Sequence, residues 1–404
     1  MLNFSDNKCR KLKLYRYIWL SVTFLSVFMK ATECLIILGT VLVMMCGCTA
    51  SGTRGVGELP DYPVPGGVSA PFAGVLDGYM VVGGGCNFPD VPAARGGAKR
   101  FCNRFYALDL NRVDSGWQSL PDMPESLAYG ASAVTDEGLV CVGGLGADSA
   151  VTRVFRMERQ AGPAGEVHFT LNDLPALPSP IDNGAAASVQ GVVYVTGGNQ
   201  PDGGRALYAL APGDTVWSRL PDYPDPVRVQ PVLLAVGRKL YLAGGFCYDR
   251  PTNTCTIPAD MVPYDIVTRE WGEPIPFPSR ADGGQYALSG GSGVAVDGKL
   301  LLTGGVDYKI FKEAMEGNVP PDYLEKPVEW YRFNSDVLVY DPALARWTVC
   351  DSVTGMDRAG GALLHFGDRL FMICGEVKPG IRSSQIGAFV LSENEGNIQV
   401  EPLN

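Results

Sequence analysis

The chain reads as an all-β protein, a six-bladed β-propeller closed by pairing of its N- and C-terminal segments. Three observations predict this. Of 404 residues, 50 are Gly and 30 are Pro, a composition that suits many short strands joined by tight turns and argues against a helical bundle. An apolar strand ending in glycine recurs six times. A Pro-rich turn, Leu59-Pro60-Asp61-Tyr62-Pro63, stands near the start without the strands that precede its copies, and alternating stretches near the C-terminus, 388–391 and 397–401, complete the last blade.

The first 47 residues differ from the rest. They hold Lys8, Arg10, Lys11, Lys13, Arg16 and Lys30 against Asp6 and Glu33. Two apolar runs, 17–28 and 34–45, are interrupted by Lys30 and Glu33, and each falls short of the roughly 18 residues of a membrane-spanning helix. Met29-Lys30 and the second run read as a complete short signal peptide, which leaves 1–28 as an upstream extension. The end of that run, Met44-Met45-Cys46-Gly47-Cys48-Thr49, resembles a bacterial lipoprotein cleavage box with Cys48 as the lipidated residue, although Met45 and Cys46 depart from the usual pattern. The alternative is a plain signal anchor. The expected organisation is a targeting segment 1–47, a linker 48–58 and a propeller 59–404. The propeller is exported to the periplasm or cell envelope and touches the membrane through a lipid anchor only.

The six glycine-ended strands are 79–84, 139–144, 193–198, 240–245, 300–305 and 370–375. A Tyr or Phe strand follows, as in 105–110, 206–210 and 337–342, and then often a Trp strand (Trp117, Trp217, Trp271, Trp347) and a turn such as Leu120-Pro121-Asp122-Met123-Pro124. Glycine turns the chain where a side chain would clash, and the aromatic rings fill the space between sheets. The pattern is kelch-like and resembles propellers with four strands per blade.

In an oxidising compartment, Cys86 with Cys102 and Cys247 with Cys255 are candidate bridges, each bracketing a polar loop. Cys141, Cys350 and Cys374 lie in apolar runs and read as small buried side chains. With no CxxC pair and two histidines, His168 and His365, no metal site is expected. Both histidines read as structural. The net charge of −10 gives no basic footprint for nucleic acid.

Function must come from the loops that break the repeat. One is Gly375-Glu376-Val377-Lys378-Pro379-Gly380-Ile381-Arg382, which places a carboxylate, an amine and a guanidinium around a Pro-Gly turn. If that turn were a regular two-residue hairpin, Glu376 and Arg382 would point to opposite faces, so a shared pocket requires an irregular hairpin. The other is the insertion 306–334, rich in Tyr, Phe, Glu and Lys.

Residues 375–382 and Thr303-Gly304-Gly305-Val306-Asp307-Tyr308-Lys309-Ile310-Phe311 resemble the signature loops of the N-acetylneuraminate epimerases, or sialate mutarotases, in an order that looks circularly permuted. The resemblance implies that Glu376 is the proton acceptor and Arg382 its active-site partner. Pro226-Val227-Arg228-Val229-Gln230 is similar to the family's Arg-x-Gln turn, with Val229 where an acidic residue is expected; this makes Arg228 and Gln230, with Lys378, candidate substrate-binding residues. The implied reaction interconverts the α and β anomers of N-acetylneuraminate by general acid/base ring opening. A bidentate Arg382 would hold the carboxylate of this small acidic sugar, and no cofactor would be needed. Tyr286, Tyr308 and Tyr331 read as packing residues. The principal alternative is a non-enzymatic kelch module that binds a glycan or a protein. A sialidase is disfavoured by the lack of Ser-x-Asp-x-Gly-x-x-Trp boxes, and a copper oxidase by the scarcity of histidine.

Overall fold

The computed structural model describes residues 59–162, 166–201 and 203–403. The targeting segment 1–47 and the whole linker 48–58, Cys48 included, lie outside them. Gly57–Asn404 forms one compact unit of six antiparallel blades, each with four strands in chain order from the central channel to the rim; two-stranded hairpins interrupt blades one, four and six after their second strand, and Ile275–Pro276 adds a short fifth strand to blade four. The innermost strands, Phe72–Leu76, Ala131–Thr135, Asp182–Val189, Val232–Val236, Tyr286–Val296 and Ala362–Phe366, line the channel.

The second strand of each blade is apolar on both faces because each blade is packed between two others. In Gly138–Val142, Leu139 and Cys141 enter a core shared with Phe72 and Phe105 of blade one, whereas Val140 and Val142 enter a core shared with Val193 and Val195 of blade three. Each such side chain contributes about 1.5–3 kcal/mol when fully buried, which explains a continuous apolar run where a half-exposed strand would alternate.

The repeated glycines answer to a backbone approach between blades. Gly143, Gly197, Gly244 and Gly304 have φ between 60° and 71°, as does Gly84, so the repeat's pair in blade one is Gly84-Gly85. A Cβ on Gly84, Gly143 or Gly304 would lie 2.6, 2.3 or 2.4 Å from the carbonyl oxygen of Leu127, Ile181 or Arg358 in the next blade. The second residue of the pair bonds across the same gap: Gly85, Gly144, Gly198, Gly305 and Gly375 donate to Leu127, Ile181, Arg228, Arg358 and Val68. Cys374, fully buried at φ 61°, is the non-glycine member of this set.

A belt of backbone bonds closes the ring at one mouth of the channel. Tyr129 N–H donates to Ala70, Asn183 to Tyr129, Gln230 to Asn183, Gly290 to Gln230, Gly360 to Gly290, and Ala70 to Gly360, at 2.7–3.2 Å. All six have positive φ, at about 1–2 kcal/mol for each non-glycine, and each stands fourteen residues before the first member of its blade's glycine pair. The chain's ends meet through this belt and through loop contacts rather than by sharing a blade. Tyr62 N–H donates to Ser384 O at 2.8 Å. The Trp117 indole donates to Pro60 O as Trp217 does to Pro175 and Trp271 to Pro221, so the first turn occupies the seat that each blade's turn gives its neighbour.

The seven cysteines of the described residues carry free thiols, so neither Cys86 with Cys102 nor Cys247 with Cys255 is bridged. Register is the reason. Cys86 pairs with Phe101 and Cys247 with Thr256, so each expected partner is one residue out of step and on the opposite face of its hairpin.

Candidate active site

The belt residues form the floor of a cavity of about 390 Å³, within the usual range of small-molecule sites. Above the belt, each glycine pair is followed by a residue at the mouth: Cys86, Leu145, Asn199, Phe246, Val306 and Glu376. Five of these equivalent positions carry no carboxylate. Glu376, the sixth, lines the cavity, and its backbone is bridged to Ala359 as Cys86 is to Ser69 and Phe246 to Val229.

Glu376 begins the hairpin Glu376–Lys378 with Ile381–Arg382. Lys378 faces Ile381 as a two-residue turn requires, but Val377 is bulged, so Glu376 faces Arg382. That one extra residue turns the two charges to the same side, supplying the irregularity the sequence demands. Arg382 Nη2 lies 2.6 Å from Glu376 Oε1, and the guanidinium stacks 4.6 Å from the Phe88 ring centroid. Burial pushes the Glu376 carboxyl above its ordinary range, while Arg382, Lys99 and the Gly380 N–H pull it back.

Arg382 stands behind Glu376. Its side chain is 3% exposed, against 22% for Glu376, and it does not line the cavity; its Nε and Nη1 are buried without partners. Its guanidinium faces the carboxylate and not the cavity, so this geometry offers no bidentate contact to a ligand there. Lys378 also turns away, donating to the carbonyls of Lys326 (2.6 Å) and Leu324 (3.5 Å) and lying over Tyr331. It clamps the insertion to the hairpin. Arg228 is 1% exposed inside blade four, bonded to Gly244 O at 2.9 Å and Asp260 Oδ1 at 2.5 Å. Its position corresponds to Val68, Leu127, Ile181, Leu288 and Arg358 in the other blades, all buried; it is a core position. Gln230, two residues on, is in the belt and reaches the cavity, where its amide donates to Asn183 Oδ1 at 3.0 Å.

The insertion forms the wall above the floor. Asp307 caps the helix Tyr308–Met315 by accepting from Ile310 N–H at 2.9 Å, and Ile310, Phe311, Met315, Tyr323, Tyr331 and Phe333 present apolar surface to the cavity. Tyr331 is both packing and lining, with its hydroxyl donating to Tyr323 O. Tyr286 is buried in blade five and donates to Asp336 at 2.8 Å. His168 sits on the outer hairpin of blade two and His365 in the channel strand of blade six.

Two site residues escaped the sequence reading. Tyr129 lines the cavity from the belt, and its hydroxyl receives Lys99 Nζ at 2.8 Å and the Cys86 thiol at 3.4 Å. Burial holds the phenol in its protonated form. The signal was an X-Gly or X-Pro pair before every channel strand: Ala70-Pro71, Tyr129-Gly130, Asn183-Gly184, Gln230-Pro231, Gly290-Gly291 and Gly360-Gly361. Nothing in the sequence pattern marks Lys99, which is brought to the mouth by a loop of blade one.

Fold and site together define a six-bladed kelch-type propeller with a carboxylate–guanidinium pair enclosed at one mouth of its channel. The family model of N-acetylneuraminate epimerase matches residues 174–401. The chain belongs to that family. It is 26% identical over 224 residues to N-acetylneuraminate epimerase 1 of Escherichia coli O6:H1, covering 52% of this chain and 58% of that one. It is 30% identical over 228 residues to the N-acetylneuraminate epimerase of Yersinia enterocolitica, covering 52% and 56%. The matched stretch thus spans a little over half the length of these relatives. The solved structure of YjhT superposes with a TM-score of 0.58 at 17% identity, covering 85% of this chain and 99% of that one, and supports the fold.

Proposed function

We propose that the chain is a mutarotase that interconverts the α and β anomers of N-acetylneuraminate. The observation that carries this reading is Glu376, an enclosed carboxylate in the single mouth position of six that bears one, held by Arg382. In the cyclic hemiketal, Glu376 accepts the proton of the anomeric hydroxyl. The bond from the anomeric carbon to the ring oxygen breaks, and the ring oxygen takes that electron pair and a proton, for which the Tyr129 hydroxyl is the available donor. The ketone turns over, the ring oxygen adds to its other face, and the protons return. A general base of this kind contributes about 100- to 10,000-fold.

The test is anomer exchange followed by NMR on freshly dissolved N-acetylneuraminate, with and without protein. Binding without exchange would assign the chain to the glycan-binding modules instead. The pH dependence has a defined sign. Because enclosure raises the Glu376 pKa, the basic form is lost as pH falls through that raised value. The acid limb of kcat should therefore lie above the ordinary glutamate pKa of about 4.3. The same shift makes the ionised carboxylate a burden on folding, so its contribution to stability declines as pH rises through the folded pKa.

We further infer that the protein is exported and carried as a lipoprotein. The support is the basic start at Lys30, the apolar run after it and Gly47-Cys48. Mass spectrometry of the native protein should find an amino terminus at lipidated Cys48, and an intact Met1 would exclude it.

A further inference from the structure

An acidic sugar has to be received by a cavity that is itself acidic. Among the described residues its lining includes two carboxylates, Asp307 and Glu376, and no Lys or Arg. Beyond residue 47 the chain has 27 basic against 41 acidic residues, a net charge of −14, so the field of the whole molecule repels an anion. The nearby guanidinium and ammonium groups do not face the cavity; Arg358, two residues before the belt's Gly360, is buried outside the lining with its Nε and Nη1 unpartnered. Arg382 is buried behind Glu376, Arg228 is bonded inside blade four, Lys378 is spent on carbonyls, and Arg332 is paired with Asp307 at 3.1 Å.

Lys99 differs from all of these. Its side chain is exposed, lies over the Tyr129 ring at 4.9 Å and donates to the Tyr129 hydroxyl at 2.8 Å, a neutral acceptor, while the Glu376 carboxylate acts on it only at longer range. Tyr129 lines the cavity, so the ammonium is one hydrogen bond from the cavity wall, and an ammonium has two further donors to give.

On the mutarotase reading above, on which this inference rests, we propose that Lys99, seated on Tyr129, is the residue that receives the carboxylate of the sugar and selects acidic over neutral ligands. The chemistry of the substrate agrees with the spacing. The carboxylate and the ring oxygen are both one bond from the anomeric carbon, so the groups that serve them must be close together, as Lys99 Nζ and Tyr129 Oη are. Tyr129 fixes the ammonium and thereby lowers the entropy lost when the ligand binds.

The experiment compares N-acetylneuraminate with its neutral carboxamide on the wild-type chain, Lys99→Met and Lys99→Arg, by titration calorimetry and by anomer exchange. Wild type should prefer the acid by about 10- to 100-fold, the range of a hydrogen bond to a charged group. Lys99→Met should erase that preference by raising KM for the acid while leaving KM for the carboxamide as in wild type, and Lys99→Arg should restore most of it. The substitution is on an exposed side chain, and an unchanged thermal midpoint would show that folding is not the cause. A wild-type preference that survives in Lys99→Met would overturn this inference and leave the mutarotase reading standing. Absence of any binding or exchange by wild type would overturn both.

Discussion

Glu376→Gln is expected to retain the fold and lose about 100- to 10,000-fold of the anomer exchange above the buffer rate. The amide has the shape of the carboxylate and its oxygen can still accept from Arg382 Nη2, 2.6 Å away in the native pair, but it cannot take the anomeric proton. Arg382 loses its counter-charge while the cost of enclosing an ionised carboxylate is relieved, so the melting midpoint should move little; kcat is to be measured well below the melting transition, on protein whose circular dichroism is native. Glu376→Asp separates charge from position. It keeps a base but withdraws it by one methylene, and a displacement of about 1 Å is enough to cost on the order of 100-fold. Full activity in Glu376→Gln would remove the carboxylate from the mechanism.

Arg228→Ala should produce a large effect of the opposite kind. The guanidinium is fully enclosed, bonded to Gly244 O and Asp260, and its loss leaves the Asp260 carboxylate without its partner and a void where the side chain lay. Breaking a buried pair from one side costs about 3–5 kcal/mol; because Asp260 is 27% exposed, the lower end of that range is expected, read as a fall in the urea midpoint. Affinity for N-acetylneuraminate in the folded variant should be nearly unchanged, since Arg228 does not reach the cavity. A selective loss of affinity at constant stability would return Arg228 to the binding site.

The fold was legible because its signals are local. A glycine where a backbone comes within 3 Å, a Trp whose indole needs a carbonyl and an apolar run buried on both faces each leave a residue-level mark that recurs from blade to blade. Glu376 and Arg382 were legible as a pair because a bulge can be demanded from the count of residues across Pro379-Gly380 alone. What failed was direction. Whether a guanidinium turns to the cavity or behind a carboxylate depends on Phe88 and the blade-one loop, some 290 residues away in sequence, and Arg228 looked like a ligand residue because its turn was compared by motif. Aligned by its place before the belt, it falls among Val68, Leu127, Ile181, Leu288 and Arg358, all of them buried. The cysteine pairs failed by one residue of register, which loop length does not encode.

The belt that joins Ala70 to Gly360 also governs how the molecule comes apart. In a linear array of repeats the terminal units have one neighbour and fray first, so stability is graded along the row. Here there is no terminal unit. Detaching any blade severs two belt bonds and two inter-blade cores together, and the remaining five cannot relax without opening the circuit. Every blade, including the one that carries Glu376, therefore shares the stability of the whole. The floor under the carboxylate keeps a fixed circumference, and variation in what the cavity admits falls to side chains and to the wall of 306–334.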